Sequence, residues 1–247
     1  MWILLLLQFS LWECGLWQNL RLRTGSIGLY NFCALIFSQR LHIYQFSIYY
    51  FYCTSYLWFY CVEKIPEQQP CDCIKIVLFG PESSGKTTMS KKLSEYYKAA
   101  FVPEFARDYL QQKWENKKQI CTPEDILPIA QGQIELENNA VNSGNKMIFC
   151  DTDLLETKVY SEAYFEGWCD PSVNKAALGN SYDLYFLTYI DIPWEADDLR
   201  DRPDQRQEMF DLFEQALVEN DRRYILLKGN IEQRLNTAIN QINNLLL

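Results

Sequence analysis

The stretch KIVLFGPESSGKTTMS, residues 75–90, decides the fold. It includes most of an apolar run of strand length, Ile74–Phe79, and it leads into a segment with apolar residues at helical spacing, Met89, Leu93 and Tyr97. Between them, GPESSGKT at Gly80–Thr87 matches the pattern G-x-x-x-x-G-K-[ST], in which glycines let backbone N–H groups turn toward a phosphate at a helix N-terminus. A strand before the loop and a helix after it are the context that this mechanism requires. The sequence therefore predicts a nucleoside triphosphate site.

The residues of this loop have distinct expected roles. Lys86 is predicted to reach the β- and γ-phosphates as a catalytic residue, and Thr87 is predicted to offer its hydroxyl to Mg²⁺. The residues predicted to bind ATP are Gly80, Pro81, Glu82, Ser83, Ser84, Gly85, Lys86, Thr87 and Thr88. A guanine-specific N-K-x-D loop is absent, because the sequence NKAA at residues 174–177 lacks the aspartate. ATP is therefore favoured over GTP.

Strand-length apolar runs alternate with helical patterns along the rest of the chain. Four further strands are predicted, at Ala99–Val102, Lys146–Cys150, Leu184–Ile190 and Tyr224–Gly229, with a loop around residues 167–172 before the fourth strand of the sheet. Parallel strands need long crossovers, which are usually helices. The alternation predicts an α/β fold of the P-loop NTPase type, a three-layer α/β/α sandwich with a five-stranded parallel sheet. Such sheets bind ligands at the carboxyl ends of their strands.

Two aspartates lie at the end of the third predicted strand. Asp151 comes directly after Cys150, and Asp153 follows two residues later. Asp151 is predicted to hold Mg²⁺, directly or through water, and its alternative interpretation is a helix cap. Asp153 could serve a substrate hydroxyl as a catalytic and substrate-binding residue, or it could cap the helix that begins near Leu154. The sequence leaves the division of roles between them open.

An acidic residue and a basic residue, Glu104 and Arg107, lie three positions apart after the second predicted strand, in PEFARDYL. Glu104 and Arg107 share one side of a helix start and are predicted to bind the acceptor of the phosphoryl group, with a surface ion pair as the alternative. The chain has one histidine, His42, which lies far from this region. A carboxylate must therefore act as the base, and Glu104 is a candidate.

An arginine-rich loop, DDLRDRPDQR, follows the fourth predicted strand. Arginines that close over a transferred phosphoryl group stabilise its charge and exclude water. Arg200 and Arg202 are predicted to be catalytic lid residues, and Arg206 is a weaker candidate. A solvated polar loop is the alternative explanation of so many charges.

The composition of the chain restricts the kinds of molecule that it is expected to bind. The chain has 247 residues, a formal net charge of −9 and 48% apolar residues, which suffice for a packed core. Nucleic acid is disfavoured, because binding a phosphate backbone needs a basic face. A small-molecule substrate is expected instead.

The first segment of the chain differs from the rest. Residues 1–61 contain one acid, Glu13, three arginines and no lysine. Ile43–Val62 is a 20-residue run without a formal charge, so it could span a membrane as a helix, although its tyrosines favour the interface. We favour the interpretation that this segment is not part of the natural product and that translation begins near Val62. Residues 1–73 are accordingly assigned to an N-terminal extension and residues 74–247 to one domain.

The cysteines indicate a reducing, cytoplasmic location. Cys71 and Cys73 are two residues apart, and Cys121, Cys150 and Cys169 lack the paired spacing of a zinc site. No disulfide and no structural metal are expected.

Four segments together resemble a known family: GPESSGKTT, VPEFARDYL, IFCDTDLLETKVY and YIDIPWEADDLRDRP. They are similar to the ribosylnicotinamide kinase domain of NadR-type proteins, a P-loop kinase branch also described as an AAA-type ATPase domain, over residues 74–245. The resemblance implies phosphorylation of the 5′-hydroxyl of nicotinamide riboside with ATP and Mg²⁺, giving nicotinamide mononucleotide in NAD salvage.

Carried over by position, the resemblance implies Gly80–Thr87 for ATP, Asp151 for the metal, and Glu104, Arg107 and Asp153 near the riboside. Arg200 would belong to the lid, which lacks the glycine of the family's D-D-G-[LI]-R form. Neither the nucleotidylyl transferase domain nor the helix-turn-helix repressor of full-length NadR-type proteins fits in residues 1–73.

Two other functions stay open from the sequence. A regulatory P-loop NTPase or nucleotide-dependent binding module would use water as its acceptor. A membrane-tethered ATPase would require the first 61 residues to be a genuine membrane segment.

Overall fold

Five parallel strands form one sheet in the order β2-β3-β1-β4-β5. The computed structural model describes residues 64–200 and 202–247, which belong to one compact unit, Lys64–Leu247. The strands are β1 Ile74–Phe79, β2 Ala100–Val102, β3 Met147–Asp151, β4 Leu184–Thr188 and β5 Tyr224–Leu227. The predicted α/β class and parallel sheet are confirmed. The interpretations of residues 1–61 lie outside the described part of the chain.

Seven helices and one 3₁₀ turn connect the strands within the described ranges. They are α1 Lys86–Tyr97, α2 Phe105–Lys117, α3 Pro123–Asn142, α4 Leu154–Tyr164, α5 Pro171–Gly179, the 3₁₀ turn Pro203–Gln205, α6 Arg206–Glu219 and α7 Ile231–Leu245. Of the helices described, none has the length and apolar character needed to cross a bilayer.

The loop predicted around residues 167–172 extends only to Asp170, and helix α5, which begins at Pro171, was not predicted from the sequence. The Asp170 side chain caps this helix by accepting from the N–H groups of Ser172 and Val173, and Pro171 lies in its first turn. Only Val173 and Ala177 are buried along its nine residues. Two buried positions are too few to form a recognisable apolar stripe, which is why the pattern was missed.

The central strand β1 is buried on both faces and separates two cores. Val77 and Phe79 pack into a cluster that includes Leu155 of α4 and Phe213 of α6. The alternate residues of β1, Ile76 and Leu78, pack into a second cluster with side chains from α1 and α7, which are Met89, Leu93, Ala238 and Ile242. Helices therefore cover both faces of the sheet, as the predicted three-layer sandwich requires.

A short extended segment before β1, which includes Gln68 and Gln69, is hydrogen-bonded to helix α3. The Nε2 of Gln68 donates to Oε1 of Glu137 over 2.7 Å, and the backbone N–H of Gln69 donates to Oδ1 of Asn138 over 2.8 Å. The buried Glu137 also forms an ion pair with Lys75 of β1, with 3.1 Å between Nζ and Oε1. Since each buried charge has a partner, this network satisfies the polar groups that it buries.

Cys71 and Cys73 form a disulfide, so the prediction of no disulfides was wrong. A bend at residues 72–73 brings the Cα atoms of the two cysteines to 5.2 Å, closer than the roughly 6.6 Å of residues two apart in an extended strand and within the range that a disulfide needs. The sequence argument considered zinc spacing and overlooked this local geometry. Cys121, Cys150 and Cys169 are free thiols.

Gly132 lets helix α3 approach the start of α2, and its replacement by alanine is expected to destabilise the protein by about 1–3 kcal/mol. A Cβ at this position would lie 2.3 Å from the Cζ atom of the Phe105 ring, so the ring or the helix must move. This cost exceeds the gain of about 1 kcal/mol that alanine brings to a helix interior. Urea denaturation measures the change in the free energy of unfolding.

Gly179→Ala is the matched control for that substitution. Gly179 is the last residue of helix α5, and no atom lies within 4 Å of the position that its Cβ would take. We expect no loss of stability there. Equal stability of the Gly132→Ala variant and the native protein would contradict the tight α2–α3 contact.

Candidate active site

The loop after β1 leaves the N-terminus of α1 open to an anion. Gly85 is the N-cap of α1, with φ of 91°, and it offers no side-chain cap to the first backbone N–H groups. Gly80 has φ of 137°, and a Cβ there would lie 2.7 Å from Oγ1 of Thr188 on β4. Glycine is therefore required at both turns, and the helix presents its positive end to the space above the loop.

Lys86 is buried beneath this loop. Its Nζ donates to the carbonyl oxygens of Gly80 at 2.7 Å and Pro81 at 3.1 Å, and it lies 3.1 Å from Oε1 of Glu156. Burial alone lowers the pKa of Lys86, but the carboxyl groups of Glu156 and its neighbours outweigh this effect and raise that pKa. The ammonium is therefore charged and close to the mouth of the loop.

Asp151 ends β3 below Lys86 and has an unsatisfied oxygen. It is 1% exposed, and its Oδ1 accepts no hydrogen bond from the described residues. Burial raises the pKa of Asp151, whereas Lys86 and the side chain of Thr87 oppose the rise. An orphaned carboxylate oxygen beside a hydroxyl is what a divalent cation would complete.

Mg²⁺ and ATP fit this arrangement of residues. The described residues contain no cluster of three or more His, Cys, Asp or Glu side chains able to hold a metal. Mg²⁺ commonly uses one or two protein ligands, with phosphate oxygens and waters as the remainder. Thr87 and Asp151 could supply those protein ligands, and the open N-terminus of α1 could receive the phosphates.

One cavity of about 580 Å³ extends from the P-loop to the space between α2, α3 and α4. Glu82–Thr88 line one end of it, and Glu104 and Arg107 line the middle. Apolar residues line the far end, which are Leu110, Cys121, Ile126, Ile129 and Phe165. We call this far end the acceptor lobe.

Glu104 ends the turn between β2 and α2 and faces Lys86 across the cavity. Burial raises the pKa of Glu104, with Lys86 opposing the rise and Asp151 adding to it. A carboxylate with a raised pKa is a stronger base than an ordinary glutamate, as general acid–base catalysis requires. This placement supports the predicted catalytic role.

Arg107 contacts the lid loop rather than Glu104. Its guanidinium lies 2.5 Å from Oδ2 of Asp197, and Nε of Arg200 lies 3.2 Å from the same carboxylate oxygen. The first turn of α2 is thus joined to the loop after β4 through one aspartate. Arg107 and Arg200 both line the cavity.

Asp153 occupies a different environment from the other predicted catalytic groups. Its Oδ1 accepts from the backbone N–H of Glu156 at 3.0 Å, and its Oδ2 accepts from the hydroxyl of Tyr185 at 2.7 Å. Burial raises its pKa to about 6, against the opposing hydrogen bonds. Asp153 is 1% exposed and does not line the cavity, so the structure gives it the helix-cap role.

The other two lid arginines, Arg202 and Arg206, are not among the residues that line the cavity. Arg202 donates to the carbonyl oxygen of Ala163 at 3.0 Å and packs over the ring of Tyr164, with 3.9 Å from Cζ to the centroid. Arg206 donates to the carbonyl oxygens of Ile192 and Ser83. These contacts hold the loop after β4 to its neighbours, and they engage both guanidinium groups with backbone carbonyl oxygens.

The sequence did not identify Arg234, whose buried guanidinium is hydrogen-bonded to the P-loop. It is 2% exposed and donates to the carbonyl oxygens of Ser84 at 2.7 Å, Tyr189 at 2.8 Å and Gly229 at 2.9 Å. It also pairs with Asp191. Its sequence context, NIEQR at the start of the closing helix, is typical of a solvated face, so no local signal could have found it.

Glu156 and Thr152 were missed as well. Glu156 lines the cavity from the first turn of α4, and its position three residues after the cap Asp153 could have drawn attention to it. Thr152 has φ of 97°, which is rare for a β-branched residue and costs about 1–3 kcal/mol. Backbone strain of this size is common beside functional sites.

Together, the sheet order, the loop after β1 and the cavity at the strand ends define the class of P-loop kinase folds. Residues 75–234 match a family described as "AAA domain", and the chain belongs to that family.

The relatives confirm the resemblance to NadR. The chain is 31% identical over 166 residues to the trifunctional NAD biosynthesis/regulator protein NadR of Escherichia coli (strain K12), a match that covers 66% of this chain and 40% of that protein. The chain therefore spans less than half of the length of this curated relative.

Solved structures with low sequence identity share the fold. A NadR protein in complex with NR matches with a TM-score of 0.57 and 24% identity, over 70% of this chain and 50% of that chain. Thymidylate kinase from Ehrlichia chaffeensis matches with a TM-score of 0.51 and 17% identity, over 71% of this chain and 99% of that chain.

Proposed function

We propose that this protein is an ATP-dependent kinase that phosphorylates the 5′-hydroxyl of nicotinamide riboside and releases nicotinamide mononucleotide. The observation that carries the proposal is one cavity lined by both the P-loop and the carboxyl group of Glu104. The likeness to NadR, whose printed name includes NAD biosynthesis, supports the choice of acceptor. A NadR structure in complex with NR adds to that support.

The donor end of the cavity binds the triphosphate and stabilises its charge. ATP supplies the phosphoryl group, and Mg²⁺, which Thr87 and Asp151 would hold, would neutralise charge on its phosphate oxygens. Lys86 moves from the carbonyl oxygens of Gly80 and Pro81 toward those phosphates. The backbone N–H groups at the start of α1 bind the phosphate from below.

The acceptor end orients the hydroxyl and removes its proton. A bond forms between the hydroxyl oxygen and the γ-phosphorus, the bond from that phosphorus to the bridging oxygen breaks, and ADP leaves. Glu104 accepts the hydroxyl proton, because it lines the cavity and burial raises the pKa of its carboxyl group. Arg200, held by Asp197, covers the transferred group and limits access of water.

The apolar acceptor lobe supports an acceptor with a ring. Leu110, Ile126 and Ile129 offer apolar surface to a planar heterocycle. The nearby amide of Gln133 is already bonded, since its Oε1 accepts from the N–H of Phe105 and its Nε2 donates to the carbonyl of Pro103. Recognition of the ring therefore depends more on shape than on a free amide that reads a base edge.

The test is ATP consumption by the full chain with Mg²⁺, measured with nicotinamide riboside, thymidine, deoxyadenosine or no acceptor. We expect consumption to depend on nicotinamide riboside and the mononucleotide to appear in equal amount. Preference for another nucleoside would overturn the acceptor and leave the kinase class. Consumption that ignores every acceptor would favour the regulatory NTPase instead.

A further inference from the structure

Glu156 is a buried carboxyl group in the cavity to which neither the sequence nor the proposed reaction assigns a role. It lines the cavity from the first turn of α4 and is 1% exposed. The cap Asp153 fixes the backbone there by accepting from the Glu156 N–H at 3.0 Å. Neither carboxylate oxygen of Glu156 accepts a hydrogen bond from the described residues. A buried carboxyl without hydrogen bonds needs a charge partner.

That partner is the P-loop lysine. Nζ of Lys86 lies 3.1 Å from Oε1 of Glu156, and both side chains are almost fully buried. The hydrogen bonds of Lys86 run to the carbonyl oxygens of Gly80 and Pro81. Burial raises the pKa of Glu156 to about 8, whereas the ammonium of Lys86 at 3.1 Å opposes that rise and favours the ionised carboxylate. Glu104 and Asp151 act on the same ammonium more weakly than Glu156 does.

We propose that Glu156 is a positioning residue, the counter-ion that holds Lys86 inside the P-loop until a nucleotide phosphate replaces it. The inference rests on the phosphate-binding half of the proposed function and is independent of the acceptor. An anionic phosphate and Glu156 compete for one ammonium group. Nucleotide affinity is therefore the result of an exchange of partners, in which the loss of the Lys86–Glu156 contact offsets part of the gain from the phosphate.

The variant Glu156→Gln tests this exchange, because glutamine keeps the shape of the side chain and removes its charge. We expect the Kd for AMP-PNP with Mg²⁺, measured by titration calorimetry, to fall by about tenfold, since close buried charge pairs couple strongly. We also expect a lower Tm without nucleotide, because Lys86 loses its counter-ion. A side chain that merely fills space would lower the Tm without tightening nucleotide binding.

Glu137→Gln is the matched control. Glu137 is also 1% exposed and lies 3.1 Å from a buried lysine, Lys75, but neither residue lines the cavity. We expect this variant to lose stability while its Kd for AMP-PNP stays at the native value.

A second variant covers the case in which Glu156→Gln does not fold. Glu156→Asp keeps the charge but draws it back by one methylene, so we expect a smaller tightening, of about twofold to threefold. A native or weaker affinity for AMP-PNP in a folded Glu156 variant overturns the inference. Tightening in a protein that ignores nicotinamide riboside would uphold it and overturn only the proposed acceptor, whereas no AMP-PNP binding by the native chain would overturn both.

Discussion

Lys86→Met is expected to lower kcat of the phosphoryl transfer by roughly 10²- to 10³-fold, the cost of losing one preorganised charge at a transition state. Methionine retains most of the buried stem but cannot reach a phosphate with a positive charge. Within the described part of the chain, the ammonium of Lys86 contacts groups of the site itself, which are two carbonyl oxygens of the P-loop and the cavity carboxyl of Glu156. Steady-state kinetics with saturating ATP measures the effect.

The control for this prediction is a second buried lysine with a glutamate partner. Lys75→Met removes the charge that pairs with Glu137 and also loses the bond from Nζ to the carbonyl oxygen of Gln69. We expect this variant to be less stable, with kcat per folded molecule near the native value. Equal losses of kcat in both variants would mean that Lys86 acts through stability alone.

Glu104→Gln is expected to lower kcat by about 10²-fold or more, the usual contribution of a positioned base. Glutamine fills the same space but cannot accept the proton of the acceptor hydroxyl. Nucleotide binding does not require that proton transfer, so the Kd for AMP-PNP should change little. Rapid-quench measurement of a single turnover separates the chemical step from product release.

The pH dependence of the reaction provides an independent readout of Glu104. Burial raises its pKa above the ordinary 4.5, with Lys86 opposing the rise. The base works when deprotonated, so kcat/KM should fall as the pH decreases through that raised pKa. This acid limb should disappear in Glu104→Gln, and its persistence there would assign it to another group.

Asp153→Asn separates Glu104 from the other carboxyl group that the sequence suggested. Asparagine caps helices about as well as aspartate, but the hydrogen bond from Tyr185 loses its charged acceptor. We expect some loss of stability and a change in kcat of less than about threefold, because Asp153 lies outside the cavity. A loss of kcat comparable to that in Glu104→Gln would transfer the role of the base to Asp153.

The local pattern of the sequence was sufficient for the fold because each signal lies within a few neighbouring residues. The strand Ile74–Phe79, the glycine loop and the helix from Lys86 occur where the sequence indicates them. Helix α5 was missed because its two buried positions form too short a stripe. The Cys71–Cys73 disulfide was missed because it depends on a bend at residues 72–73 that the sequence did not predict.

The site was harder to predict, because its side chains come from distant parts of the chain. Arg234 reaches the carbonyl oxygen of Ser84 across 150 positions, and no periodicity in the sequence records such a contact. Arg202 appeared equivalent to Arg200 in a charged loop, but its guanidinium packs over the ring of Tyr164 and donates to the carbonyl oxygen of Ala163. Residue type indicates what chemistry is available, whereas the tertiary path of the chain decides which groups meet.

Helix α3 takes part in two separate features of the fold. Ile126 and Ile129 in its first half line the acceptor lobe, and Glu137 and Asn138 in its second half hold residues 67–69 by hydrogen bonds. A substitution that releases residues 67–69 therefore removes hydrogen bonds from the same helix that forms a wall of the acceptor lobe.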